Sequence, residues 1–109
     1  MTNIVHSQAR QGDVCVTRAT AVPTGSGVDR DNGRVVLAYG EVTGHAHAFR
    51  DPGVCLLRAE GITMLTVTPD GALLEHEEHV HIPFGGGTYE VRIQQQWDWS
   101  AEVARNVRD

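Results

Sequence analysis

The chain has 109 residues and a net charge of −5, from 14 acidic and 9 basic side chains. This length predicts one domain, spanning residues 1–109, that can bury a core without a disulfide or a structural metal. All nine bases are arginine and form no basic stripe, which excludes lysine-dependent catalysis and argues against a nucleic-acid partner. No stretch approaches the roughly 20 apolar residues of a membrane span, and residues 1–10 lack the apolar core of a signal peptide. We therefore expect a cytoplasmic protein with no membrane partner.

Short apolar blocks separated by Gly, Pro, Asp and Asn predict an all-β fold. Turn sequences such as Asp51-Pro52-Gly53 and Pro69-Asp70-Gly71 separate several of these blocks, and residues 24–27 (Thr-Gly-Ser-Gly) predict a flexible loop. Short, regularly spaced strands are typical of a small sandwich, roll or barrel. The predicted strands lie near residues 13–19, 34–42, 46–49, 54–59, 62–68, 72–76, 80–83 and 88–95.

One short helix is predicted near the C-terminus. Asp98 or Ser100 fits the N-cap, Glu102 favours the first turn, and Val103 and Val107 recur at a helical spacing. We expect the two tryptophans that precede this helix to pin it to the sheet.

The two cysteines, Cys15 and Cys55, lie in apolar runs, so we expect buried free thiols that are neither paired nor nucleophilic. The absence of a Cys-x-x-Cys pair from the sequence excludes a thiolate zinc ribbon. A small β domain has strand edges to protect, which favours a homo-oligomer.

The chemistry of the sequence is concentrated in its histidines, five of which fall between positions 45 and 81. His45 and His47 are two residues apart, so on a strand both imidazoles point to the same face. A third imidazole from another strand would complete a facial three-nitrogen site. A catalytic zinc uses that arrangement, with three protein ligands and one position left open for water.

A second cluster at residues 75–81 could supply the third ligand. His79 and His81 share one strand face, opposite Val80, and His76 joins them only if the chain bends between residues 77 and 79. The three glutamates of this segment could ligate the metal, orient a ligand imidazole or accept a proton from bound water. Glu78 is the candidate for orienting an imidazole or accepting the proton. Two histidine clusters favour a metal site over the alternative, a surface histidine patch or a pH-sensitive interface.

These segments resemble a small, uncharacterised family of bacterial and phage proteins, and the resemblance covers most of the chain. It implies that His45, His47, His76 and His79 form the polar core of the family, and it leaves His81 outside the motif. This chain departs from the pattern in a longer loop at residues 83–89, and in Gln96 and Trp97, where the family has an acid and a tyrosine. The matching segments are Gln11-Gly12-Asp13-Val14, the octapeptide GEVTGHAH at residues 40–47, the His-Glu-Glu-His block at residues 76–79, Pro83, Gly87-Thr88-Tyr89, and residues 94–97.

The His-x-His strand is also similar to those of cupins and of α-class carbonic anhydrases. Cupins add a glutamate soon after the second histidine, but Phe49, Arg50 and Asp51 follow His47 here. The likeness to the anhydrases is one of site and not of fold.

The sequence therefore predicts a metal-dependent enzyme, most simply with zinc, that hydrates or hydrolyses a small-molecule substrate with metal-bound water. The predicted ligands are His45, His47, His76 and His79, with Glu78 in the catalytic role. Two alternatives stay open: a non-catalytic metal-binding or assembly protein with interfacial histidines, and a cupin-like iron oxygenase.

Overall fold

The structure, a computed structural model, describes residues 3–94. Every regular element in this range is a β-strand, so the prediction of an all-β fold is confirmed. Accordingly, residues 3–94 contain no helix long and apolar enough to cross a membrane. The predicted C-terminal helix and both tryptophans lie outside the described residues.

Ten strands follow one another along the described chain, and each pairs with its sheet neighbours in antiparallel fashion. Six of them form one sheet and the other four form a second. They are β1 (Gln8–Gln11), β2 (Val14–Arg18), β3 (Ser26–Gly27), β4 (Val35–Tyr39), β5 (Ala46–Phe49), β6 (Val54–Ala59), β7 (Ile62–Val67), β8 (Ala72–Glu75), β9 (Ile82–Phe84) and β10 (Gly87–Ile93).

The six-stranded sheet has the order β1-β2-β10-β7-β6-β3, and the four-stranded sheet has the order β4-β5-β8-β9. The β1–β2 hairpin turns at Gly12, whose φ of 58° lies in the left-handed region that glycine adopts without strain. This hairpin forms one edge of the larger sheet, and its turn reaches the smaller sheet at the site described below.

One hydrophobic core joins the two sheets. Alternate residues of β2, β4 and β8 face it, as in β2, where Val14 and Val16 are fully buried. Phe49, Phe84 and Tyr89 meet edge to face within this core. The ring centroids of Phe49 and Phe84 are 6.0 Å apart, and those of Phe84 and Tyr89 are 5.3 Å apart. The Tyr89 hydroxyl donates a 2.7 Å hydrogen bond to a backbone carbonyl, so its polar atom is satisfied.

All eight predicted strands overlap a strand of the structure, but two strands were missed. The first, β1, reads Gln-Ala-Arg-Gln and is mostly exposed at a sheet edge, so it carries no apolar alternation. The second, β3, has only two residues and lies where the sequence predicted a loop; it pairs with β6. The prediction of a flexible loop across residues 24–27 is therefore wrong at Ser26 and Gly27.

The two cysteines are unpaired, as predicted, but they are not buried. Cys15 is partly exposed and Cys55 is exposed. The neighbours of each cysteine are buried: Val14 and Val16 flank Cys15, and Val54 and Leu56 flank Cys55. Because side chains alternate along a strand, each thiol points to the face opposite the core.

Candidate functional site

The four histidines predicted as metal ligands, His45, His47, His76 and His79, lie together at one end of β5 and β8. We call them the histidine cluster. The antiparallel register of β5 and β8, continued by one residue, sets His47 opposite His76, and their ring centroids are 4.2 Å apart. The His79 ring lies 5.7 Å from that of His47 and 4.7 Å from that of His76, whereas the His45 ring lies 6.1 Å from that of His76.

The strand prediction across residues 80–83 is wrong at its start, and so is the face that it assigned to Val80. Residues 76–81 connect β8 to β9 as a bend, and Val80 is 79 % exposed. The bend considered between residues 77 and 79 is present, and it brings His76 and His79 into one cluster although they differ in strand parity.

Gln11, at the end of β1, is the residue that holds His47 in place. Its side chain is 3 % exposed, and its Nε2 donates hydrogen bonds to the carbonyls of Leu74 (3.2 Å) and Val80 (2.9 Å). The amide Oε1 therefore faces His47 as an acceptor, and the Nδ1–H of His47 donates to it at 2.8 Å. A neutral His47 consequently carries its proton on Nδ1 and keeps the lone pair on Nε2 free.

Glu78 ties two other histidines together. Its carboxylate Oε2 accepts a 2.9 Å hydrogen bond from Nδ1–H of His45, so a neutral His45 keeps the lone pair on Nε2. Its backbone N–H donates to Nδ1 of His76 at 3.0 Å, so a neutral His76 carries its proton on Nε2. Glu77 secures the same bend, since its carboxylate accepts the backbone N–H of Ala46 at 3.0 Å, which lowers the pKa of Glu77 below its ordinary value.

His47 is held in its neutral form. Burial, together with the neighbouring imidazoles of His76 and His79, lowers the pKa of His47 from 6.5 to about 4. The carboxylates of Asp13 and Glu77 oppose this shift but do not cancel it. Neutral imidazole is the form that binds a metal or accepts a proton, so His47 is available for either role near neutral pH.

The β1–β2 turn lies directly against two of these rings. A β-carbon at Gly12 would lie 3.0 Å from Nε2 of His79 and 3.2 Å from Cε1 of His47. Any side chain at this position would displace the rings as well as strain the backbone at a φ of 58°. Gly12 thus allows the turn to close over the histidine cluster.

As it stands, the cluster is not a preformed metal centre. No group of three or more His, Cys, Asp or Glu side chains among residues 3–94 is arranged to hold a metal ion. The hydrogen bonding of His76 gives a physical reason, because its Nδ1 lone pair is occupied by the Glu78 N–H and its Nε2 carries the proton. Ligation by His76 requires the bend at residues 77–79 to shift.

The remaining histidines and Glu78 have distinct positions. His81 is exposed and lines a cleft beside the cluster, and His6 is exposed. The Glu78 side chain, 61 % exposed, contacts His45. Gln11 and Gly12 are the functional candidates that residue chemistry missed; their signal in the sequence was the Gln-Gly-Asp-Val segment, noted only as a mark of resemblance.

The cleft lies on the face of β5 opposite His47, where the small side chains of Ala46 and Ala48 leave a volume of about 160 Å³. Arg34 and Arg50 line it together with Glu75 and Glu77, and His76 forms part of its wall. The cleft and the histidine cluster therefore share one residue, His76.

Comparison with known proteins gives a family but no chemistry. No curated protein and no solved structure matches the chain. A family model, described as a domain of unknown function (DUF8820), matches residues 10–94, a range that includes the whole histidine cluster and Gln11. The chain belongs to this domain-of-unknown-function family, DUF8820.

Proposed function

We propose that this protein binds one divalent transition-metal ion, most simply zinc, through His47, His76 and His79, and uses it to hydrate or hydrolyse a small-molecule substrate. The observation that carries the proposal is the spacing of the three rings, whose centroids are 4.2, 4.7 and 5.7 Å apart. Imidazoles that share one tetrahedral zinc at about 2.0 Å per Zn–N bond have centroids roughly 5 Å apart. Rings at this spacing can converge on one ion once the hydrogen bond from the Glu78 N–H to His76 opens.

His47 is the anchor of this site. Its Nδ1–H is fixed by Gln11, as ligand imidazoles are commonly fixed by an oxygen acceptor, and its Nε2 is free. His79 is exposed and makes no side-chain hydrogen bond within residues 3–94, so it can turn toward the ion without losing a contact. His76 completes the set when its hydrogen bond from the Glu78 N–H opens.

The fourth histidine suits a different task. The His45 ring lies 6.1 Å from that of His76, a longer centroid distance than any among the other three rings. Glu78 accepts its Nδ1–H, so a neutral His45 keeps the lone pair on Nε2. Three imidazole ligands would leave one position of a bound ion open, and such an ion would supply a water of lowered pKa. His45 would serve as the general base beside it, with Glu78 orienting His45.

A second candidate is a non-catalytic protein whose histidines join copies of the chain through a shared metal. It is favoured by the exposure of His79 and of Val80 beside it, which is 79 % exposed. Sedimentation with zinc and with a chelator separates the two candidates. A zinc-dependent change of mass, without turnover, supports assembly.

Metal analysis of protein purified without a histidine tag tests the proposed function. We expect about one zinc per chain, or its uptake on titration, followed by chelator-sensitive carbon dioxide hydration or ester hydrolysis. His45→Gln and Glu78→Gln should lower turnover by about 10²–10⁴-fold while zinc stays bound, because they remove the general base or its orientation. His6→Gln is the matched control and should change neither property.

The proposal fails if the untagged protein contains no transition metal and takes none up. Iron in place of zinc, with oxygen consumption, would favour the cupin-like alternative.

A further inference from the structure

We propose that the cleft on the outer face of the four-stranded sheet binds a small oxyanion, a carboxylate or phosphate group, with Arg34 as its principal anchor. As a substrate subsite this inference rests on the proposed function, because it places the anionic end of the substrate beside the histidine cluster. As a binding site it can be tested in the absence of metal.

The shape of the cleft follows from the sequence of β5. Ala46 and Ala48 point away from the core-facing residues His47 and Phe49, and their methyl groups form a shallow floor. The volume of about 160 Å³ equals roughly five water molecules at about 30 Å³ each. A carboxylate or phosphate with a few further heavy atoms fits this space.

The charges of the lining leave one cation without a partner. Glu75 pairs with Arg50 at 3.5 Å, and Glu77 accepts the Ala46 N–H at 3.0 Å, so both carboxylates are engaged. Arg34 is partly buried and its side chain makes no ion pair or hydrogen bond with any residue in the range 3–94. A guanidinium presents a planar fork of donors that matches two oxygens of a carboxylate or phosphate.

His76 links this anchor to the chemistry proposed for the site. His76 is one of the residues that line the cleft, and its ring lies 4.2 Å from that of His47. A substrate held by its anionic group at Arg34 therefore extends toward the histidine cluster. The inferred substrate class is a small organic acid or phosphate compound whose reacting bond lies a few atoms from the anion.

Amide chemical-shift titrations of the chelator-treated full chain test the site with sodium acetate and, separately, inorganic phosphate, with sodium chloride as the ionic-strength control. We expect saturable shifts at Ala46, Ala48 and the residues around Arg34 with at least one of the two oxyanions. Arg34→Gln should weaken that binding by about tenfold or more, since it removes a charge-assisted bidentate contact. Arg58→Gln, the same change at an exposed position on β6, should leave it unchanged.

Shifts no larger than those with chloride, or equal binding by Arg34→Gln and wild type, would overturn the inference. The same variants titrated with zinc separate this inference from the proposed function. Zinc binding without oxyanion binding overturns only the subsite, and oxyanion binding without zinc binding overturns only the metal site.

Discussion

Strand β5 contributes one ring to each of two aromatic clusters, and the two clusters have opposite physical characters. Phe49 joins Phe84 and Tyr89 in the phenyl cluster, where each residue is at most 1 % exposed and the centroids are 6.0 and 5.3 Å apart. His47 joins the histidine cluster, where it and His76 are each 7 % exposed and their centroids are 4.2 Å apart. The phenyl cluster carries one polar side-chain atom, the Tyr89 hydroxyl, whereas every imidazole carries two ring nitrogens.

The difference shows what each cluster contributes. Burying a phenyl ring is favourable without any partner, whereas a buried imidazole needs a hydrogen bond to offset its desolvation. Gln11 supplies that bond to His47, and Glu78 supplies bonds to His45 and His76. A hydrophobic residue at position 47 would pack without such partners, so an imidazole there departs from core packing, as the proposed binding or catalytic role would require.

Truncation of the phenyl cluster should have the largest effect on stability. Phe49→Ala should lower the free energy of unfolding by about 3–5 kcal/mol, because it leaves a cavity in a closed core. His79→Ala, at an exposed ring without a hydrogen bond, should change it by no more than about 0.5 kcal/mol. Urea unfolding followed by circular dichroism measures both, with Phe49→Leu as the control that keeps a large apolar side chain in the core. Equal losses for the two alanine variants would erase the contrast between the clusters.

His79, in the histidine cluster, should matter to metal affinity far more than His81, which lies beside it. The His79 ring lies 4.7 Å from that of His76, whereas His81 is exposed beside the cleft. We expect His79→Ala to weaken zinc binding by more than about 100-fold and His81→Ala by less than about tenfold, as measured by calorimetric titration. A larger loss for His81→Ala would replace His79 by His81 in the site.

Gln11 should affect metal affinity by an intermediate amount. Gln11→Ala removes the acceptor that fixes His47, and loss of such an outer partner typically weakens metal binding by about 10–100-fold. Gln8→Ala is the matched control, because it is the same change at an exposed position of the same strand. Nitrogen-detected NMR of the metal-free protein should find the His47 proton on Nδ1 in wild type and redistributed in Gln11→Ala. An unchanged tautomer would remove the positioning role of Gln11.

The last expected effect is on the pH dependence of the stability of the metal-free protein. The pKa of His47 is about 4 in the folded chain against an ordinary value of 6.5, so the unfolded chain binds this proton first as the pH falls. The stability contributed by neutral His47 is therefore complete above pH 6.5 and is lost progressively toward pH 4. His47→Gln should flatten this part of the stability profile, measured by urea unfolding in chelator at several pH values. A variant with the wild-type profile would show that His47 does not cause the acid sensitivity.

The sequence was a sufficient guide wherever the information is local. The apolar residues around His47 predicted β5, and the all-β fold followed from similar blocks. The grouping of the two histidine segments was predicted from chemistry, and it arises physically because β8 pairs with β5 in a register that sets His76 opposite His47.

Long-range polar contacts could not be predicted in the same way. The hydrogen bond from Gln11 to Leu74 joins residues 63 positions apart. The strand that carries Gln11 is polar and lacks the apolar alternation from which a strand is predicted. Val80 was assigned to a buried strand face because alternation was extended through the polar residues before it, but the bend there exposes it. Both wrong predictions concern residues beside the histidine cluster, where residues 76–81 form a bend outside the regular strands.

The most direct test of the metal site is an anomalous-difference map at the zinc absorption edge, from crystals of untagged protein grown with one equivalent of zinc. We predict a single strong peak among His47, His76 and His79, within about 2.0–2.1 Å of one nitrogen of each ring, with the bend at residues 77–79 shifted and the Glu78 N–H released from His76. A map with no peak at these rings, or with zinc only at His6 or His81, would contradict the account.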